Sequence, residues 1–366
     1  MNNHSRLFRT LTAALVATIV CASTGLAQRE TQKLAQAGMK FLSVGLSARQ
    51  TALADAFTAV EAGSESMFYN PSGMSGIKRL SDVSLGMVQW IGDIQHYYVA
   101  AAFAPSDGDY GVFGISFQFT DYGEVDATIR ANNTQGYLDV GTIKPNASAL
   151  GFTYAKAISD RFAVGGTLKF VSQDLGSGYV RVQYNTTSDG IDEGFEPDSS
   201  EEVINTLLVP AFDFGLQYKT GYKSLIFGMT VRNFAKEVKY ISEGFQLPLT
   251  FRIGVSMNML DLLDLNPKEH ALLLAVDVEH PRDYPEQIKV GLEYLFMSTV
   301  ALRAGYVSPA DEHSFSFGLG LQQKLADIDF GLDYSYTPFG VFSSWASDQD
   351  GSGMPTVSRL SFRFGF

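Results

Sequence analysis

From residue 81 to the carboxyl terminus, apolar and polar residues alternate with a period of two, in runs punctuated by Gly, Pro, Asn and Asp. Alternation of that kind predicts strands whose two faces meet different surroundings. Between Asp327 and Thr337, Ile328, Phe330, Leu332, Tyr334 and Tyr336 oppose Asp329, Gly331, Asp333 and Ser335. The same split sets Phe113, Ile115, Phe117 and Phe119 against Gly114, Ser116 and Gln118, and Phe315, Phe317, Leu319 and Leu321 against Ser316, Gly318, Gly320 and Gln322. The polar face is poor in bulk: Arg252, Asp277, Lys289, Glu293 and Arg303 share it with glycines. A soluble sandwich places Lys, Glu and Thr on its outer polar face. Glycine and scattered charge on one face, with a dense apolar band on the other, instead predict a polar lumen inside a lipid-facing wall.

The predicted fold class is therefore all-β, a transmembrane outer-membrane β-barrel of about 14 antiparallel strands. Alternating runs begin near residues 81, 94, 109, 147, 161, 207, 223, 247, 270, 286, 299, 313, 327 and 356. Their connections support the reading, because barrels of this class alternate short turns on one side with long loops on the other. Short links fall near Pro105 to Gly108, Ser159 to Asp160, Thr220 to Tyr222, Met297 to Ser298 and Leu325 to Ala326. Long ones run from Asp121 to Asn146, Asp174 to Thr206, Asn233 to Gln246 and Pro338 to Pro355. In the last run, Leu360, Phe362, Phe364 and Phe366 alternate with Ser361, Arg363 and Gly365. An end of this kind, with Phe364 and Phe366 on the apolar face, resembles the carboxyl-terminal insertion signal of bacterial outer-membrane barrels.

Two earlier stretches break the pattern. Residues 1–27 have a basic start at Arg6 and Arg9, an apolar run from Leu11 to Ala22 and small residues at Gly25 and Ala27. They read as a cleaved signal peptide, too short in its apolar run to anchor a helix in a bilayer. The single cysteine, Cys21, lies inside that segment, which leaves no disulfide framework and no thiolate metal site. Residues 28–80 are dense in alanine, at 35, 37, 48, 52, 54, 56, 59 and 62, and predict short helices or turns. They form either a periplasmic extension or a plug folded into the lumen of the barrel at 81–366. Composition completes the picture: 27 basic against 39 acidic residues give a net charge of −12, which argues against nucleic-acid partners.

Gly45 to Met74 carries a G-x-x-A-R stretch ending at Ala48-Arg49, an A-F-x-A segment at Ala56-Phe57-Thr58-Ala59, and Asn70-Pro71-Ser72-Gly73-Met74. This pattern resembles the amino-terminal signature of PorV/PorQ-like outer-membrane barrels, relatives of the FadL fatty-acid transporters. Ser72 stands where the family usually has Ala, and Asp55 where it usually has Gly. The resemblance implies a fourteen-stranded barrel with an amino-terminal hatch, and marks Arg49, Asn70, Pro71 and Gly73 as the hatch motif. In physical terms Pro71 sets its φ, Asn70 can bond nearby backbone and Gly73 permits a left-handed turn, so a turn-forming role is favoured over ligand contact.

The resemblance further implies a non-enzymatic part in type IX protein secretion and surface attachment. Partners would then be membrane lipid, translocon and attachment proteins, and secreted cargo received through surface loops. The alternative is a passive FadL-like channel, whose partner would be a hydrophobic small molecule. Candidate partner-contact aromatics are Phe339, Phe342 and Trp345 in the last long loop. No catalytic, cofactor or metal site is expected. His96, His270, His280 and His313 lie on separate segments without metal-ligand spacing and read as interface or loop polar residues. The acidic run from Thr186 to Glu202 lacks the spacing of a calcium loop and reads as a solvated loop.

Overall fold

The computed structural model of the chain describes residues 37–130, 134–181, 200–240, 244–263, 269–310, 313–325, 328–339 and 356–366. Among the described residues eighteen strands occur in chain order, and fourteen of them close into a single antiparallel barrel. The barrel strands are β1 (Ser81–Gln89), β2 (Gln95–Phe103), β3 (Val112–Asp121), β6 (Asn146–Ala157), β7 (Phe162–Arg181), β8 (Ser200–Lys219) and β9 (Ile226–Phe234), followed by β12 (Thr250–Asn258), β13 (His270–Pro281), β14 (Gln287–Phe296), β15 (Val300–Ser308), β16 (Phe315–Leu325), β17 (Ile328–Pro338) and β18 (Thr356–Gly365). Each pairs with the barrel strand that follows it, and β18 returns to β1 from Asp82↔Gly365 to Gln89↔Ser358. Reciprocal backbone hydrogen bonds between Ser81 and Phe366 finish that seam. No helix among the described residues is long and apolar enough to cross a membrane.

Two of the long links contain hairpins of their own. β4 (Val125–Arg130) pairs with β5 (Tyr137–Ile143), and β10 (Val238–Lys239) with β11 (Gly244–Phe245). A third, predicted as loop from Asp174 to Thr206, is shorter than expected, because β7 and β8 continue their ladder past Asp174 to Arg181↔Ser200 across one register shift. These connections share one end of the barrel, the loop end; the short turns share the other.

The alternation maps onto the wall as its chemistry requires. Phe113, Ile115, Phe117, Phe317, Leu319 and Leu321 face outward and are exposed outside the barrel. Arg252, Asp277, Lys289, Glu293 and Arg303 face inward and are all buried. What buries them is the chain itself, since residues 38–77 lie within the lumen as a 3₁₀ turn at Lys40–Ser43, one α-helical turn at Ala48–Thr51, and 3₁₀ turns at Gly63–Phe68 and Pro71–Gly76. Leu53, Phe57, Met67, Phe68 and Met74 form its apolar heart against Val88 and Tyr98 of the wall.

The glycines of the polar strand faces have a specific task. A Cβ at Gly305 would stand 2.2 Å from Ala54 N, at Gly228 2.4 Å from Thr58 O, and at Gly165 2.5 Å from Ser72 N. Backbone of the lumenal segment thus lies directly on backbone of the wall, at a distance only glycine allows.

The last strand gives a graded test of orientation. Leu360, Phe362 and Phe364 face outward while Arg359, Ser361 and Arg363 face inward, and Phe364 meets Phe330 edge-on at 5.5 Å between ring centres. Leu360 sits mid-strand and Phe364 beside the turn-end rim. Leu360→Arg is expected to cost roughly 2–4 kcal/mol, Phe364→Arg less, and Arg363→Ser little. Urea midpoints of barrels folded in lipid vesicles check that order.

Candidate functional site

The amino-terminal motif is built into the lumen rather than onto its surface. Arg49, on the α-helical turn, makes a two-pronged contact with Glu293 of β14, Nε to Oε2 at 2.9 Å and Nη2 to Oε1 at 2.7 Å. Arg303 of β15 donates to the same carboxylate and to Asp333 of β17 at 2.6 Å. The result is a buried ladder of alternating charge, Arg49–Glu293–Arg303–Asp333, that ties the segment to three strands. Paired guanidinium and carboxylate groups in fixed geometry are the form in which charge tolerates burial.

Asn70 adds neutral ties. Its side-chain oxygen accepts from Ser72 N and Ser72 Oγ, which caps the turn that Pro71 begins, while its Nδ2 donates to Thr58 O at 2.7 Å and Leu216 O at 3.2 Å. Gly73 departs from expectation, since it is not among the residues with left-handed φ. Space is the reason for glycine there: a Cβ would meet Ser66 Oγ at 2.8 Å and Val60 O at 3.2 Å. Left-handed backbone in the segment falls instead at Met39, Ala54, Asp55 and Gly63, with φ of 54° and 59° at Ala54 and Asp55. The conformation at Asp55 is one that glycine adopts freely and aspartate tolerates better than most side chains.

The strongest anchor is one the motif did not reveal. Asp277 of β13 accepts from Phe57 N at 2.9 Å, Thr58 N at 3.0 Å and Thr58 Oγ1 at 2.6 Å. Glu65 is gripped likewise by Ser47 Oγ, Gln50 Nε2 and the Tyr98 hydroxyl of β2, at 2.8, 3.0 and 3.1 Å.

Above this packed layer, at the loop end, the lumen opens into a cavity of about 420 Å³. Its floor is Gly45, Thr51, Ala54 and Asp55, and its walls include His96, Arg252, Glu279, Lys289 and Arg359 from five strands. Phe41, Trp90, Tyr122 and Tyr284 contribute aromatic surface. Arg252 pairs with Glu279 at 3.0 Å, Lys289 with the same Glu279, and Lys40 with Asp283. His313 also lines the cavity; burial and then the nearby Arg359 lower its pKa to about 4, so it is neutral at physiological pH.

Placement of the histidines differs from the sequence reading. His96 is buried inside, bonded to Thr120 Oγ1 and edge-on to Trp90, and with His313 belongs to the cavity wall. Only His270 and His280, beside Tyr294 and Glu286, have the peripheral setting expected of all four. Phe339 is half-buried and packs edge-on to Trp90 at 6.1 Å. Phe342 and Trp345, the signal peptide at 1–27 and most of the acidic run at 186–202 lie outside the described residues. Phe366 is exposed at the turn-end seam.

No protein-family model and no curated protein sequence matches the chain. Solved structures do match. The toluene transporter TbuX of Ralstonia pickettii superposes with a TM-score of 0.56 at 12% identity, over 88% of this chain and 98% of that one. The Pseudomonas putida toluene transporter TodX gives 0.55 at 11%, over 91% and 98%, and the monoaromatic hydrocarbon channel CymD 0.53 at 12%, over 88% and 98%. At these identities the likeness is one of fold alone, a closed antiparallel barrel of the kind these outer-membrane transporters and channels have. The narrower placement among PorV/PorQ-like secretion components has no counterpart among these relatives.

The anchors make the lumenal segment's attachment measurable. Asp277→Ala strands the Phe57 and Thr58 donors in the interior, at roughly 1–3 kcal/mol for each unpaired group. Amide hydrogen exchange at Phe57 and Thr58 is expected to accelerate and ion conductance in planar bilayers to rise, with Asp277→Asn retaining most of the wild-type behaviour.

Proposed function

We propose that the chain is an outer-membrane channel for small hydrophobic compounds, exported by a signal peptide at 1–27, with residues 28–80 as a hatch across the barrel at 81–366. The observation that carries this reading is the loop-end cavity with aromatic surface, seated on a lumen that the chain's own segment fills. It is supported by the barrel fold shared with proteins described as toluene transporters and a monoaromatic hydrocarbon channel. In this reading a compound enters the cavity from the outside and passes when the hatch shifts from the wall. The acceptors and donors released by that shift, at Asp277, Glu293 and Asn70, are met by water, so movement rather than unfolding opens the path.

A second reading, as a surface component of protein secretion and attachment, is favoured by one observation. The β4–β5 hairpin stands at the loop end with Tyr137, Leu138 and Val140 exposed, which suits contact with another protein better than contact with water. Here the aromatics Phe342 and Trp345 would add to the same surface, and transport of small molecules would be absent.

The two readings separate in one experiment. Thr51 Oγ1 lies 3.0 Å from Ser335 Oγ, so Thr51→Cys with Ser335→Cys places a lockable pair between hatch and wall. Cells displaying the wild type are expected to take up a radiolabelled monoaromatic compound several-fold faster than cells without it. The oxidised pair is expected to abolish that uptake and reduction to restore it. Uptake no faster than in cells without the protein would reject the channel, and loss of cargo display after Leu138→Asp with Val140→Asp would favour secretion.

A further inference from the structure

The cavity does not have the electrostatics of a site for neutral hydrocarbons. Five cationic side chains line it, Lys40, Arg252, Arg282, Lys289 and Arg359, against three carboxylates, Asp55, Glu279 and Asp283, in a chain whose net charge is −12. The pairing locates the surplus. Lys40 and Asp283 neutralise each other, while Arg252 and Lys289 share the one carboxylate of Glu279 as ion-pair partner.

Arg359 is the sharper case. It is 4% exposed, its Nε donates to Gly45 O at 2.9 Å and its Nη1 to Thr337 Oγ1 at 3.1 Å, both neutral acceptors. Among the described residues it has no ion pair. Asp55 on the floor is the acid that acts on it most, yet Asp55 Oδ1 itself has no hydrogen-bond partner, and Arg252 Nε is also unpartnered. A buried guanidinium without a carboxylate is costly unless an anion completes it. Trp90 lies against Arg359, 5.6 Å from guanidinium carbon to ring centre, with Phe41, Tyr122 and Tyr284 elsewhere on the wall. Anion-holding and ring-holding surfaces therefore adjoin in a volume suited to a small organic molecule.

We propose that this cavity binds aromatic carboxylates, with Arg359 holding the carboxylate and Trp90 and its aromatic neighbours the ring. The site is that of the channel reading above and rests on it, but narrows the ligand class from small hydrophobic compounds at large to aromatic acids. Arg252 and Lys289 supply the attractive field, and Asp55 sets an upper limit on affinity by opposing it.

The test is equilibrium binding of three small probes to the full chain in detergent micelles: benzoate, its uncharged analogue benzamide, and the non-aromatic anion cyclohexanecarboxylate. Benzoate is expected to bind about tenfold or more tightly than benzamide, in the range of a charged hydrogen bond, and several-fold more tightly than cyclohexanecarboxylate. Arg359→Gln is expected to erase the preference over benzamide, and Asp55→Asn to tighten benzoate while leaving benzamide unchanged. Equal binding of benzoate and benzamide by the wild type overturns the proposal, as does an unaltered benzoate affinity in Arg359→Gln. Equal binding of cyclohexanecarboxylate overturns its aromatic part. Where Arg359→Gln fails to fold by heat-modifiable mobility, Asp55→Asn decides, and no tightening counts against the proposal. Uptake of a neutral monoaromatic compound without benzoate preference sinks this inference alone, whereas absence of both uptake and binding sinks the channel reading with it.

Discussion

The packed layer inside this barrel depends on giving its buried charges partners. Strand faces that carry Arg252, Asp277, Lys289, Glu293 and Arg303 cannot form an apolar core, and water fills such a space in an open pore. Here some partners come from neighbouring strands, Glu279 for Arg252 and Lys289 and Asp333 for Arg303, and the others from residues 38–77. Arg49 completes Glu293, the Phe57 and Thr58 amides complete Asp277, and Ser47 with Gln50 completes Glu65 from within the segment. The segment in turn could not hold its short turns alone, since four-residue and six-residue turns lack the length for independent stability. Wall and segment are each incomplete without the other.

Close approach is the second condition. Charge pairing with short side chains requires the segment's backbone to reach the wall, and inward-facing glycines at 165, 228 and 305 supply the room. Bulkier residues at those sites would push the segment off Asp277 and Glu293. The same crowding explains Gly73, which is small because Ser66 and Val60 stand beside it. The backbone at Asp55 is left-handed, a conformation glycine adopts freely, and the aspartate that takes it here places a carboxylate on the cavity floor.

Where the segment ends, the cavity begins. Its floor is the top of the packed layer, so any movement that opens a path must carry Thr51, Ala54 and Asp55 with it. In the channel reading this couples binding to gating: a carboxylate held by Arg359 sits on the floor residues that close the lumen and is opposed by Asp55 among them. A cavity lined by more cations than acids in an acidic protein also concentrates positive field where the loops converge, which favours anions over cations there.

Periodicity alone was enough to read the wall. A two-residue repeat with bulky apolar residues on one side has one stable solution in a bilayer, and the parity of link lengths orders the strands, so fourteen strands, their facing and the lumenal position of Arg252, Asp277, Lys289, Glu293 and Arg303 were all legible. The cavity was not. Trp90, His96, Arg252, His313 and Arg359 are scattered over the chain, and only closure of the barrel brings them to one rim. His96 shows the reason: its sequence reads as an interface or loop position, and only the packing of Trp90 against it, with Phe339 behind Trp90, shows that it is buried in the lumen. Arg49 could be singled out by its motif, yet its partner Glu293 lies 244 residues away and belongs to a different pattern altogether. Local alternation is a property of neighbouring residues and survives in the sequence, whereas the pairing of charges across a lumen is set by which strands come to face one another, and that is decided only when the sheet has closed.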